Sequence, residues 1–151
     1  MGQRRKARAA ALQALFQLEF SIDGNQEHGL ALYRSQFHRD NETWDYTHEL
    51  VCGVLENKSS IDEIINGHSR NWAISRMPKA DLNILRLAIF EMMYSKNPVP
   101  PSVVINEAVE IAKKYGESES PQFINAILDK AYLNSKSTQP PPLEAKETLQ
   151  S

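Results

Sequence analysis

Ala80-Asp81-Leu82-Asn83-Ile84-Leu85-Arg86-Leu87-Ala88-Ile89-Phe90-Glu91-Met92-Met93-Tyr94 is the stretch that decides the fold. Apolar side chains occupy nearly its whole circumference at helical spacing, and such a helix is stable in water only when other helices wrap it. Pro78 suits its first turn, where a missing amide hydrogen costs nothing. The stretch is expected to be the central helix of an all-α protein. Arg86 is a lone base on it, either an internal ion-pair partner or a ligand contact.

Working outward, the chain upstream predicts three helices. The first covers residues 3–20, with Ala7, Ala11, Leu12, Leu15, Phe16 and Leu18 on one side and Gly24 and Asn25 closing it. The second covers 26–37, with Leu30, Tyr33 and Phe37 inward. The third covers 42–57, with Trp44, Thr47, Leu50, Val51, Val54 and Leu55 inward. Ser60-Ile61-Asp62-Glu63 has the form of a capping box and predicts a fourth helix from Ser60 to about Trp72. Downstream, Asn97-Pro98-Val99-Pro100-Pro101 breaks the chain and opens a sixth helix, with Val104, Ile105, Ala108, Ile111, Ala112 and Tyr115 inward. Glu110 and Lys114 are spaced as a favourable pair on its wet side. Ser120-Pro121 reads as an N-cap and first turn for a seventh, which buries Phe123, Ile124, Ile127, Leu128 and Ala131. From Asn134 the composition turns polar and proline-rich and predicts a disordered tail. The expected architecture is a compact bundle of about seven helices, one domain over 1–133 with a tail over 134–151.

The 151 residues can bury a core without staples. No apolar run reaches the ~20 residues of a membrane-spanning helix. The basic start leads into a pattern broken by Gln13, Gln17 and Glu19, unlike a signal peptide. Cys52 is the single cysteine, so no internal disulfide forms and the cytoplasm is the expected compartment. The histidines (His28, His38, His48, His68) lack metal-ligand spacing, and the glycines form no phosphate-cradling loop. Cys52 among Leu50, Val51 and Val54 reads as a small core residue. Asp62 and Glu63 read as first-turn acids facing a helix dipole, and Trp44 and Trp72 as packing residues. No catalytic constellation emerges, and no cofactor or metal is implied.

The charge pattern carries the functional signal. Net charge is −2, yet residues 1–8 hold four of the 17 bases (Arg4, Arg5, Lys6, Arg8) and no acid. Cations at a helix N-terminus oppose its dipole, at a few tenths of a kcal/mol each. A cluster kept there against that cost points to an anionic partner, although a merely solubilising terminus has the same composition. If all four grip phosphates on a single strand, the log–log salt slope is about −3. On this reading the four are removable with little change in melting. Gln13 and Phe16 lie about two turns further along and can extend the surface, although Phe16 reads first as a core residue.

Arg4-Arg5-Lys6-Ala7-Arg8 followed by Ala11-Leu12-Gln13-Ala14-Leu15-Phe16 resembles the opening motif of the NusB family of transcription antitermination factors. Arg76-Met77-Pro78-Lys79-Ala80-Asp81 with Ile84 to Glu91 resembles the family's central helix. Val104-Ile105-Asn106-Glu107-Ala108-Val109-Glu110-Ile111-Ala112-Lys113-Lys114-Tyr115-Gly116 and then Phe123-Ile124-Asn125-Ala126-Ile127-Leu128-Asp129 complete the order. The resemblance implies a non-enzymatic helical protein that binds the single-stranded boxA element of ribosomal RNA leaders. It implies the ribosomal protein NusE as partner and a complex on RNA polymerase that suppresses premature termination. It implies RNA contacts at Arg4, Arg5, Lys6, Arg8, Phe16, Arg86, Tyr115 and Phe123, and a protein-partner contact at Asp81. Homodimer formation stays open. Ala9, Gln122 and Ala126 depart from the family pattern, Ala126 standing where glycine is frequent. The same fold also occurs as the N-terminal domain of ribosomal RNA cytosine methyltransferases. Such an enzyme is expected to continue into an α/β domain with a glycine-rich cofactor turn, where this chain has a proline-rich tail. A purely protein-binding bundle with an incidental basic tip is the third reading.

Overall fold

A computed structural model describes residues 2–19, 26–37, 41–69 and 73–138. Seven helices appear there: α1 (Gly2–Leu18), α2 (Gln26–Phe37), α3 (Asn41–Glu56), α4 (Lys58–His68), α5 (Lys79–Ile89), α6 (Pro101–Tyr115) and α7 (Ser120–Thr138). No strand occurs among the described residues. A 3-10 turn, Ile74–Arg76, precedes α5, and a π turn, Phe90–Tyr94, follows it.

The apolar circumference of α5 has the expected consequence. Every residue from Asp81 to Ile89 is buried, and α1, α3, α4, α6 and α7 pack around the helix. The helical register carries on through the π turn, where Ser95 N–H reaches back to the Phe90 carbonyl at 2.9 Å. Phe90 packs on α3 at Gly53, where a β-carbon would come within 2.1 Å of the ring. Only glycine leaves room for that ring.

The inward residues expected on α3, Trp44, Thr47, Leu50, Val51 and Val54, are buried, with Leu55 and Cys52 half-buried against them. On α2 Leu30 and Tyr33 are buried. The Phe37 side chain, Gly24, Asn25 and Trp72 lie outside what is described.

Several element ends differ from the sequence reading. Helix α4 starts at Lys58, and the Ser60–Glu63 capping box does not form. The Ser60 hydroxyl instead donates to the Asn57 carbonyl at 3.2 Å and accepts from the Tyr94 hydroxyl at 2.9 Å. The helix ends at His68, where Ser69 turns its hydroxyl back onto the Ile65 carbonyl. Pro78 is the residue before α5, with extended backbone, and not part of its first turn. Glu110 pairs with Lys113 at 3.0 Å in place of Lys114, whose ammonium lies over the Tyr115 ring. Helix α7 continues to Thr138, so residues 134–138 of the expected disordered tail are helical; the rest of that tail lies outside the described residues. Ala126, where the family often has glycine, is exposed on α7.

Candidate nucleic-acid interface

Two long-range hydrogen-bond sets fix how α1 lies against α6. Arg5 reaches Glu107, and eight residues further along both helices Gln13 reaches Tyr115. The helices therefore run parallel along α5, bridged by side chains. At 1.5 Å rise per residue the two bridges stand roughly 12 Å apart. The basic residues stand at one end of this helix pair and an aromatic groove at the other.

The expected basic cluster splits in the structure. Arg4, Arg5 and Lys6 are exposed. The Arg4 guanidinium lies 4.5 Å over the Tyr46 ring. Arg5 donates from Nε and Nη2 to the two carboxylate oxygens of Glu107, at 2.9 and 2.8 Å. That bond and the Arg5 charge hold the Glu107 carboxyl below the usual range, against the effect of burial.

Arg8 does not belong to the exposed set. It is 6% exposed, and its Nε donates to both carboxylate oxygens of Glu91, itself 2% exposed, at 2.8 and 3.1 Å. The Tyr46 hydroxyl donates to the same carboxylate, and Arg8 Nη1 lies 3.9 Å from Glu107. Burial disfavours the Arg8 charge, but the bond and charge of Glu91 outweigh it and raise the guanidinium pKa. Burial, then the bond to Glu91, pushes the Tyr46 phenol well above its ordinary value. Arg8, expected beside the exposed cations as an RNA contact, is instead a buried guanidinium paired with Glu91, so its charge is committed within the fold. Its work is to pin α1 to the π turn.

Arg86 is likewise buried and bound to internal acids. It is 5% exposed and forks onto Asp62 at 2.9 Å through both Nε and Nη2. Nη1 adds Asn83 at 3.1 Å and Glu19 at 3.3 Å. Of the two readings the sequence left open, the internal ion pair holds. It ties α5 to α4 and to the end of α1.

Phe16 is 42% exposed and so is not a core residue. It lines a groove of about 320 Å³ with Leu12, Gln13, Gln17, Tyr33 and Tyr115. The Tyr33 hydroxyl donates to Gln13 Oε1 at 3.2 Å, and Gln13 Nε2 donates to the Tyr115 hydroxyl at 3.5 Å. The groove thus has aromatic walls fixed by one glutamine, which suits a flat unsaturated ring.

Ala80, on the groove wall, leads directly to Asp81 and a second groove of about 440 Å³, lined by Pro78, Asp81, Glu117, Glu119, Ser120 and Phe123. Phe123 is half-buried there. Asp81 is buried, and its carboxylate accepts from the Ser120 hydroxyl at 2.8 Å. That hydroxyl accepts from Glu117 N–H, so Ser120 serves Asp81 instead of capping α7. Burial raises the Asp81 carboxyl, with the Ser120 bond opposing and the Glu117 charge reinforcing the shift.

Tyr46, Glu91 and Glu107 organise the tip, and sequence reasoning passed over all three as site residues. Glu91 carried the same signal as Arg86, a lone charge on the most buried helix, which requires an opposite charge facing it. No group of histidine, cysteine or acidic side chains able to hold a metal ion occurs among the described residues. No helix there is long and apolar enough to cross a membrane.

Comparison with known proteins gives one answer. The model of the NusB family matches residues 5–133. The transcription antitermination protein NusB of Trichlorobacter lovleyi is 46% identical over 129 residues, covering 85% of this chain and 89% of that protein. The NusB of Desulforapulum autotrophicum is 47% identical over 134 residues, covering 86% and 91%. Among solved structures, T. maritima NusB superposes with a TM-score of 0.75 at 35% identity, covering 95% of this chain and 96% of that one. A chain from a complex of the antitermination factors NusB and NusE with double-stranded RNA superposes with a TM-score of 0.76 at 25% identity, covering 89% and 98%.

Proposed function

The chain belongs to the NusB family of transcription antitermination proteins, and from that premise we propose that it binds single-stranded boxA RNA of ribosomal RNA operon leaders along the α1–α6 strip, together with the ribosomal protein NusE, as part of an RNA polymerase complex that resists premature termination. The observation that carries this reading is that exposed cations and an aromatic groove stand about two turns apart on the same two helices. Arg4, Arg5 and Lys6 meet phosphates. Phe16 and Tyr115 offer ring faces to a base, worth about 1–3 kcal/mol per stacked base, and Gln13 offers amide hydrogen bonds to its edge. The roughly 12 Å between the two ends accommodates about three stacked nucleotides.

The acidic groove continues this surface. Asp81, Glu117 and Glu119 around Phe123 suit a basic segment of the ribosomal protein that also carries an apolar side chain. A related chain comes from a complex that contains both NusE and RNA, which supports the pairing. With three exposed cations, the single-strand salt slope falls to about −2 from the value of about −3 expected for four.

The test is a fluorescence titration of a boxA strand and a scrambled strand of equal composition, with and without NusE. Preferential binding of boxA, tightened by NusE, supports the reading. Equal binding of both strands, and only at low salt, overturns it.

A further inference from the structure

We infer that Glu107 is a specificity-determining residue, which screens Arg5 against indiscriminate phosphate binding and presents its remaining edge to the preferred strand. The inference rests on the RNA-binding reading above. Arg5 is the exposed cation of the tip that is held in a bidentate carboxylate fork, its side chain 54% exposed and that of Glu107 18%. The fork occupies Nε and Nη2 and leaves the Nη1 hydrogens uncommitted to Glu107. A planar guanidinium held on one edge keeps a fixed direction for the other.

The charge around the tip points the same way. Arg5 and Arg8 face the carboxylates of Glu107 and Glu91, and the Arg8 charge is consumed by Glu91. Glu107 lies within salt-bridge distance of both Arg5 and Arg8. It is ionised at neutral pH, since Arg5 holds its carboxyl below the usual range. A loose phosphate approaching Arg5 therefore meets a cation already paired with a carboxylate, and the long-range, sequence-blind attraction is weakened. An RNA that places an acceptor against the free edge still gains an oriented hydrogen bond. Selectivity improves because the non-specific competitor loses more than the specific one.

Glu107→Gln in the full chain tests this, with Glu63→Gln, at an exposed position of α4, as the control for a change of one charge. Both variants and the wild type are titrated with boxA and scrambled strands over a range of salt and eluted from heparin, a sequence-free polyanion. For E107Q the scrambled strand should bind about two- to five-fold more tightly, with a salt slope steeper by about 0.7. Affinity for boxA should rise by less than that for the scrambled strand, so that the ratio of the two falls, and elution from heparin should be later than for E63Q. An equal loss of affinity for both strands would make Glu107 a mere prop, and identical behaviour of E107Q and E63Q would reduce the effect to net charge. Either result overturns the inference. If the wild type shows no preference for boxA, the RNA-binding reading fails, while the heparin elution and the salt slope still decide whether Glu107 screens Arg5.

Discussion

Arg8→Ala should unfold this protein at a temperature far below the wild type, although the residue sits in what the sequence presents as an exposed basic motif. Arg8 is 6% exposed and Glu91 2%, and the pair is closed by two bonds of 2.8 and 3.1 Å. Removing the guanidinium leaves the buried Glu91 carboxyl without its cation, with only the Tyr46 hydroxyl still donating to it. Breaking a buried pair on one side costs about 3–5 kcal/mol. That is a large share of the ~5–15 kcal/mol that holds a domain folded. At about 2–4 °C per kcal/mol for a chain of this size, the midpoint should fall by roughly 6–20 °C. Thermal melts followed by circular dichroism at pH 7 measure this directly. Arg4→Ala and Lys6→Ala, on exposed side chains, should stay within about 0.5 kcal/mol of the wild type. Adding Glu91→Gln to Arg8→Ala should recover part of the loss, because the uncompensated charge is gone while the Tyr46 acceptor remains. An Arg8→Ala melt within about 2 °C of the wild type would refute the reasoning.

Other consequences follow from the same geometry. Phe16→Ala should lower boxA affinity by about 1–3 kcal/mol without moving the melt, as titration and calorimetry on one sample would show; a lower melting point with unchanged affinity would return Phe16 to the core. Arg86→Met leaves Asp62 and Glu19 without their shared cation and should destabilise by about 3 kcal/mol or more, while RNA affinity of the folded fraction is retained. Asp81→Asn should raise the melting temperature at neutral pH. A carboxyl whose folded pKa is raised destabilises the fold above that pKa and does so no longer below its unfolded value. The gain over the wild type should therefore shrink as pH falls through the raised pKa, and a gain that grows on acidification would reverse the assignment.

The bundle was legible because its central helix is apolar on every side, and because Pro101, Gly116 and Pro121 mark boundaries by backbone chemistry alone. The capping box was misread because its serine has two better partners, the Asn57 carbonyl and the Tyr94 hydroxyl, and the latter comes from a distant segment. The same limit governed the site. The basic motif is plain in the first eight residues, but Arg8 meets Glu91 across 83 positions and Arg5 meets Glu107 across 102. Which cations are spent inside the fold and which remain for a ligand is a tertiary property, invisible until α1 is laid against α6. Arg86 illustrates the converse: a lone charge on a buried helix signals a partner, and the sequence does not say whether that partner is internal.

The central claim is that RNA runs along α1 and α6 from the tip to the aromatic groove. Amide chemical shifts recorded during titration of the labelled protein with a boxA strand test it most directly. The account predicts the largest changes at Arg4, Arg5, Lys6, Gln13, Phe16, Gln17 and Tyr115, with Arg86 and the body of α4 quiet. Changes concentrated on α2 or α4, with that strip unmoved, would contradict it.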